Sequence, residues 1–275
     1  MQKSDDNINQ LIYWNELWNE AVKGLPDKKS SGSWDKIAPK FGKWTQKDNY
    51  SEELLNKIKI DKNDTVLDIG CGNGIVTIPL AKKAKQVTAM DMSPKMLDML
   101  KENAENEGLD NITSVNQRIE DLDVKNDIEP HDVVLASRCL NGICDIGELL
   151  QQLNQIAKKY VYITLWGVLA REFDRECAEI IGKEFNQHPD YICVYNILHQ
   201  LGIYANVEML ETGSQQYYPN IDKAIEKLRW RIGGLGDEEE IILRKYLAER
   251  LVKTEDSKFT LPYNNPSWVL IWWKK

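Results

Sequence analysis

The sequence predicts an α/β domain, a parallel sheet with helices covering both of its faces. Three observations carry this. Between residues 65 and 165, short apolar runs of strand length alternate with stretches of helical periodicity, the order of βαβ units. The first of these runs leads straight into three glycines, Gly70, Gly72 and Gly74, and a helical pattern follows them. Composition is that of a packed domain: 42% hydrophobic and 28% charged residues in a chain of 275. Those values exclude a disordered, collagen-like or disulfide-scaffold chain.

Each element has its own signal. Residues 5–23 read as a helix, with Ile8, Leu11, Ile12, Leu17 and Val22 roughly at helical spacing. Pro26 and the polar run 28–33 form a loop. Trp34, Ala38 and Phe41 mark a short helical pattern over 34–44. Ser51 is placed to cap the next helix, which has acidic residues in its first turn and buries Leu54, Leu55 and Ile58. The strands expected next are 65–69, 86–91, 112–115, 132–137 and 160–165, with helices over 75–84, 94–107 and 146–158. Pro94 suits a first helical turn. Crossovers between parallel strands are right-handed, which fixes the winding.

After residue 166 the pattern loosens. Helices are expected over 168–185 and 189–201, and a strand over 204–210. Residues 221–253 are helical but interrupted by Gly233, Gly234 and Gly236, and 268–273 form a last strand. The inserts 167–187 and 215–262 exceed what a minimal sheet needs, so a lid or substrate pocket is expected there.

Charge and cysteine content narrow the function. The formal net charge is −8 and the isoelectric point is near 5.1, which argues against a nucleic-acid partner. No run of about 18 apolar residues suggests a membrane helix, and the start of the chain is polar, without the apolar centre of a signal peptide. Cys71, Cys139, Cys144, Cys177 and Cys193 are odd in number and lack a CxxC pair. Neither a disulfide framework nor a metal site is expected, and the compartment expected is the cytoplasm. Nine tryptophans stand against four phenylalanines, with Trp14, Trp18, Trp34, Trp44 and Trp230 outside the expected core.

The segment Val66-Leu-Asp-Ile-Gly-Cys-Gly-Asn-Gly74 carries the chemistry. Its glycines permit a tight turn and close approach of a ligand to main chain. In an open parallel sheet such a turn lies at the carboxyl ends of the strands, where ligands bind. A dinucleotide fingerprint starting at Gly70 would need glycine at 75, where Ile75 stands. The pattern is Asp-x-Gly-x-Gly-x-Gly, which suits a nucleoside bearing an amino acid better than one bearing a pyrophosphate. Asp68 can attract an ammonium group. Asp91 lies 21 residues after Gly70 at the end of the second strand, where a carboxylate can accept both hydroxyls of a ribose.

Together with Val87-Thr-Ala-Met-Asp-Met-Ser-Pro-Lys-Met-Leu97 and Asp132-Val-Val-Leu-Ala-Ser137, this segment resembles the class I S-adenosylmethionine-dependent methyltransferases. The resemblance covers roughly residues 35–165 and the final strand. It implies a Rossmann-like, seven-stranded, mostly parallel sheet whose last strand is antiparallel, in a single domain over 1–275. Residues 1–49 would form an N-terminal helical lid, 50–166 the cofactor-binding core and 167–275 a C-terminal half with the inserts. By position, Asp68, Gly70, Cys71, Gly72 and Gly74 would hold the methionine part of S-adenosylmethionine. Asp91 would bind its ribose, and Met92 would lie on the adenine. Ser137 would contact the methionine part through its backbone. Many relatives place Asp-Ala after the third strand; Arg118-Ile119 stands here, so adenine contacts fall to the Ile119 backbone and the Glu120 side chain.

The resemblance implies in-line methyl transfer to a small-molecule acceptor. A protein or tRNA methyltransferase, or a non-catalytic cofactor-binding subunit, stands as the alternative, and a nicotinamide oxidoreductase fits less well because residue 75 is not glycine. Substrate candidates are Trp34, Tyr50 and Arg138: Trp34 with Trp230 as part of an aromatic cage or as core, Tyr50 over the cofactor, Arg138 on an acidic acceptor or in an ion pair. Cys71 reads as a packing residue and His131 as structural. His188 and His199 lie in the variable half, and no general base is named. The acidic run 237–240 reads as a solvated helix start.

Overall fold

The computed structural model describes residues 12–23, 34–36, 38, 49–122, 128–167, 170–185, 189–212, 217–262 and 268–275. In chain order these form helix α1 (Trp14–Lys23), α2 (Tyr50–Lys57), β1 (Thr65–Ile69), α3 (Thr77–Ala81), β2 (Gln86–Asp91), α4 (Pro94–Asn106), β3 (Ile112–Asn116), β4 (His131–Ser137), α5 (Ile146–Ile156) and β5 (Ala157–Trp166). Then come α6 (Glu172–Ile180), α7 (Tyr191–Gln200), β6 (Asn206–Leu210), β7 (Tyr217–Tyr218), α8 (Ile221–Arg231), α9 (Asp237–Arg250), β8 (Val252–Lys253), β9 (Phe259–Thr260) and β10 (Trp268–Lys274).

Seven strands make one sheet in the order β3-β2-β1-β4-β5-β10-β6. Strands β1 to β5 pair in parallel, and β10 runs antiparallel to both β5 and β6. The apolar runs that predict strands are those of a sheet buried on both faces. Leu67 and Ile69 point into a core shared with Trp18 of α1, Leu150 of α5 and Leu198 of α7. Val66, Val133 and Leu135 point the other way, onto Tyr50 and Leu54 of α2 and Leu80 of α3. Strand order reverses between β1 and β4, so a crevice opens at their carboxyl ends.

Side-chain caps set several helix starts. Ser93 accepts from the Met96 amide at 3.2 Å ahead of Pro94, Asp190 from the Ile192 amide at 2.8 Å, and Asn220 from the Lys223 amide at 2.9 Å. A third apolar core lies within the insert, where Cys177 and Ala178 of α6 meet Leu228 of α8 and Leu243 and Leu247 of α9.

Four features depart from the sequence reading. Helix α2 starts at Tyr50 with Asn49 at its N-cap position, so Ser51, expected to cap it, lies inside the helix. Strand β5 begins at Ala157 rather than Tyr160, directly after α5, because Ala157 pairs with His131. The short sheet β7-β9-β8 was not anticipated, since strands of two residues carry no periodicity. Trp18, expected outside the core, is fully buried, and its Nε1–H donates to the Ile143 carbonyl at 2.6 Å. Residues 5–11, the loop 26–33, and Phe41 and Trp44 lie outside the described residues. Among the described residues no helix is long and apolar enough to cross a membrane.

Trp18 ties α1 to the segment after β4, which carries part of the site. Replacing it by alanine empties a fully buried volume and removes that hydrogen bond. The Trp18→Ala variant is expected to lose about 3–5 kcal/mol of stability, read from the midpoint of urea unfolding.

Candidate functional site

Everything at the crevice follows from how the β1 turn is held. The amides of Gly70 and Cys71 both donate to the Met90 carbonyl, at 2.8 and 3.0 Å. The Gly72 amide donates to Asp91 Oδ2 at 2.8 Å, and the Gly74 amide to the Cys71 carbonyl at 3.1 Å. Gly70, Gly72 and Gly74 have φ of +68°, +54° and +88°, a region that disfavours L side chains. At Gly70 there is also no space: a Cβ there would stand 2.4 Å from Cys139 Cβ.

Two acids flank the turn. Asp68 is buried and accepts from Thr77 Oγ1 at 2.6 Å. Burial pushes its pKa up to about 7, the Thr77 bond opposes this, and the neighbouring Asp91 charge adds to it. Asp91 accepts from the Ser93 amide through Oδ1 at 2.9 Å as well as from Gly72. Burial raises its pKa, and the backbone amides of Ser93, Gly72 and Met92 act against the rise.

A cavity of about 400 Å³ opens beside the turn, within the scale of small-molecule sites. Asp68, Gly70, Cys71, Gly72, Asp91, Met92, Ile119, Glu120 and Ser137 all line it, as do the candidates Trp34 and Arg138. Trp34 comes from a short helical turn whose Asp35 accepts from Ser93 Oγ at 2.5 Å, at the start of α4. Two expected residues do not line the cavity. Gly74 serves packing: a Cβ there would stand 2.3 Å from Leu100 Cδ1. Tyr50 is fully buried behind the wall, its hydroxyl bonded to Ser137 Oγ at 2.8 Å and Thr164 Oγ1 at 2.6 Å. Burial pushes the Tyr50 pKa up to about 12, so the hydroxyl stays protonated. It is a post for the wall: Thr164 Oγ1 also accepts from the Arg138 amide at 2.9 Å, and the Arg138 guanidinium sits 4.0 Å from the centre of the Tyr50 ring.

Other expectations resolve as follows. His131 stands at the start of β4, the opposite end of the sheet from the crevice. Its Nε2 bonds Thr88 Oγ1 at 2.8 Å and its Nδ1 the Glu129 carbonyl at 2.6 Å. Burial lowers its pKa. These are structural tasks. His199 packs edge-on against Tyr204. Burial pushes the Cys71 and Cys139 thiols up, which disfavours the thiolate, and Cys139 Sγ donates to the Ile69 carbonyl at 3.2 Å. Helix α1, part of the expected N-terminal lid, packs on α5 and α7. The acidic run 237–240 opens α9, where Glu239 accepts from the Gly236 amide at 2.7 Å. His188, Trp44 and the Trp230 side chain lie outside what is described.

The sequence reading missed the far wall. Trp166, Trp268, Asn141, Arg171 and Arg231 also line the cavity. Trp166 ends β5, Trp268 starts β10, and the two residues pair across the sheet. Arg171 precedes α6 and Arg231 ends α8, so both come from the insert. Asp174 bonds both, to Arg171 Nε at 3.0 Å and Arg231 Nε at 2.9 Å. Arg138 holds φ of +57°, a strained backbone for a non-glycine residue, of a kind that clusters at functional sites. Asn141 Oδ1 is buried and has no partner among the described residues.

The raised pKa of Asp68 has a direct consequence for stability. The folded chain binds this proton more tightly than the unfolded chain, whose aspartate titrates near 3.8. The stabilisation is therefore complete below about pH 4 and is lost as the pH rises towards 7. Asp68→Asn is expected to flatten that slope, of at most about 1.4 kcal/mol per pH unit, in denaturant melts from acid to neutral pH without ligand.

Comparison with known proteins places this chain in a family. Residues 60–224 match a family model described as a methyltransferase domain. An uncharacterized protein of Haemophilus influenzae is 32% identical over 244 residues, covering 87% of this chain and 88% of that protein. A probable ribosomal RNA small subunit methyltransferase A of Methanosphaera stadtmanae is 38% identical over 90 residues, covering 33% of this chain and 32% of that protein. The solved structure of a putative methyltransferase from Bacillus halodurans C-125 aligns with a TM-score of 0.56 and 13% identity, over 82% of this chain and 98% of that one; this is a likeness of fold. With a family model matched over more than half its length, the chain belongs to the class I S-adenosylmethionine-dependent methyltransferases.

Proposed function

We propose that the cavity beside the β1 turn holds S-adenosylmethionine and that the protein methylates a small molecule seated between the turn and the helical insert. The observation that carries this is the direction of the turn amides. Phosphate sites at strand–helix turns rely on N–H groups aimed at the ligand. Here the amides of Gly70, Cys71, Gly72 and Gly74 all donate into the protein. The Cys71 and Gly74 carbonyls accept from the Gly74 and Ile78 amides and the Asn73 carbonyl from the Asn103 side chain, so the glycines are left to offer the Gly70 carbonyl oxygen and bare Cα surface, which suit a cationic ammonium and an apolar chain. Asp68 behind it supplies negative charge to the same end.

The remaining contacts follow the same chemistry. Asp91 accepts from the Gly72 amide through Oδ2 and from the Ser93 amide through Oδ1, and a carboxylate with about four lone-pair sites keeps acceptor capacity for the ribose hydroxyls. Met92 and the Ile119 backbone provide the adenine slot, with Glu120 at its edge, and Ser137 reaches the methionine end. The bound cofactor supplies a methyl group on a sulfonium, a leaving group that needs no protonation. The chain's own work is to orient the acceptor and exclude water, effects worth roughly 7–11 kcal/mol when alignment is good. A base is required only for an acceptor that must lose a proton, and no side chain is assigned to that task.

Two observations favour a small acceptor over RNA. The net charge is −8, the wrong sign for a phosphate backbone, and the site is a cavity rather than an open surface. The similarity to the ribosomal RNA methyltransferase spans 90 residues, too little to extend to its acceptor. The insert, with its own apolar core, and the turn that carries Trp34 act as the cover.

The test is labelled methyl transfer from S-adenosylmethionine into a metabolite extract and, separately, into total RNA and protein, with mass identification of the product. Label in a small molecule is the expected result; label confined to RNA or protein overturns the acceptor assignment. Asp91→Ala is expected to weaken cofactor binding by about 1.5–3 kcal/mol, the scale of hydrogen bonds to a charged group. Unchanged affinity by calorimetry would remove Asp91 from the ribose role.

A further inference from the structure

The lining of the cavity carries both signs of charge: Asp68, Asp91 and Glu120, and Arg138, Arg171 and Arg231. Asp174 is shared by Arg171 and Arg231.

Arg171 is the informative member. Its side chain is 13% exposed. Nε–H donates to Asp174 Oδ2 at 3.0 Å and Nη2–H to the Arg231 carbonyl at 2.8 Å. A guanidinium has five N–H donors in a planar fork, and the other three have no partner among the described residues. Leaving charged donors unpaired at a largely buried position is costly. The guanidinium is also fixed in place, over Phe185 at 4.6 Å and near Trp166 at 5.9 Å from the ring centres. Trp166 and Trp268, with ring centroids 6.2 Å apart and ring planes inclined at 49°, give the same part of the cavity an aromatic corner. A rigid fork with spare donors recognises an oxyanion with two oxygens, and an aromatic corner recognises a planar ring.

We infer that the methyl acceptor is a planar ring bearing an oxyanion, carboxylate or phosphate, which docks on the unbonded donors of Arg171 while its ring lies against Trp166 and Trp268. This rests on the cofactor reading above and adds the substrate class. The oxyanion is a handle: it sets the register of the ring relative to the glycine turn.

Three probes test it: benzoate, phenyl phosphate and the neutral isostere benzamide, titrated calorimetrically into protein saturated with S-adenosylhomocysteine. Benzoate or phenyl phosphate is expected to bind about tenfold or more tighter than benzamide, the stronger of the two anions naming the handle. Arg171→Gln is expected to abolish that preference, a loss of about ten- to hundredfold for a charge-assisted contact, while S-adenosylhomocysteine affinity stays as in the parent and reports an intact fold. Equal binding of all three probes, or an anion preference that survives Arg171→Gln, overturns the inference and leaves the cofactor reading standing. Failure of S-adenosylhomocysteine itself to bind overturns both. If the variant does not fold, the comparison of the anions with benzamide on the parent protein decides.

Discussion

The Met90 carbonyl, accepting from both Gly70 and Cys71, is the contact on which the site depends. It fastens the turn after β1 to the end of β2, and so brings Gly72 within reach of Asp91. A bifurcated acceptor of this kind demands a backbone curled so tightly that φ turns positive at alternate residues, which glycine alone adopts at low cost. The glycines thus serve two ends. Gly70 makes room for Cys139 and Gly74 for Leu100 of α4, while Gly70 and Gly72 also line the cavity. With the amides of Gly70, Cys71, Gly72 and Gly74 consumed internally, the glycines have no N–H left for an anion.

The second constraint is desolvation. Asp68 is buried with Thr77 as its hydrogen-bond donor, and the cost of keeping it charged there is what drives its proton affinity upward. A buried acid with one donor is poor design for stability alone, because a hydrophobic residue of similar volume would avoid the penalty. It makes sense at a place where a cation comes to rest. The Tyr50 hydroxyl chain contrasts with it, because there every oxygen finds a partner: Ser137, Thr164 and the Arg138 amide close a neutral, satisfied network, and the result is rigidity of the wall beneath the arginine.

How much of this could be read beforehand depends on the range of the interaction. The strands β1 and β2, the turn between β1 and α3, and the placement of Asp91 are local, and spacing alone reveals them. The break between α8 and α9 was equally legible from Gly233, Gly234 and Gly236. The far wall was not. Trp166 and Trp268 meet only because β10 pairs antiparallel with β5, and Arg171 and Arg231, 60 residues apart in the chain, meet through Asp174 and the Arg231 carbonyl. Nothing in the neighbourhood of Arg171 along the chain distinguishes it from a solvated arginine. Trp18 was misjudged for the same reason: its partner, the Ile143 carbonyl, lies far away in the chain. Gly74 looked like a ligand-facing glycine because its spacing matched, and only the position of Leu100 shows the steric reason for it.

The arginine pair comes from two chain segments that are joined through one carboxylate and packed around a core of their own. That arrangement separates two kinds of evolutionary freedom. Drift in the helices beyond β5 can redraw the shape and charge of what is admitted, while the loop beside Met90 stays untouched. A lineage of such proteins would be expected to diversify its chemistry by editing this annex, one side chain at a time, without having to reinvent the donor it draws upon.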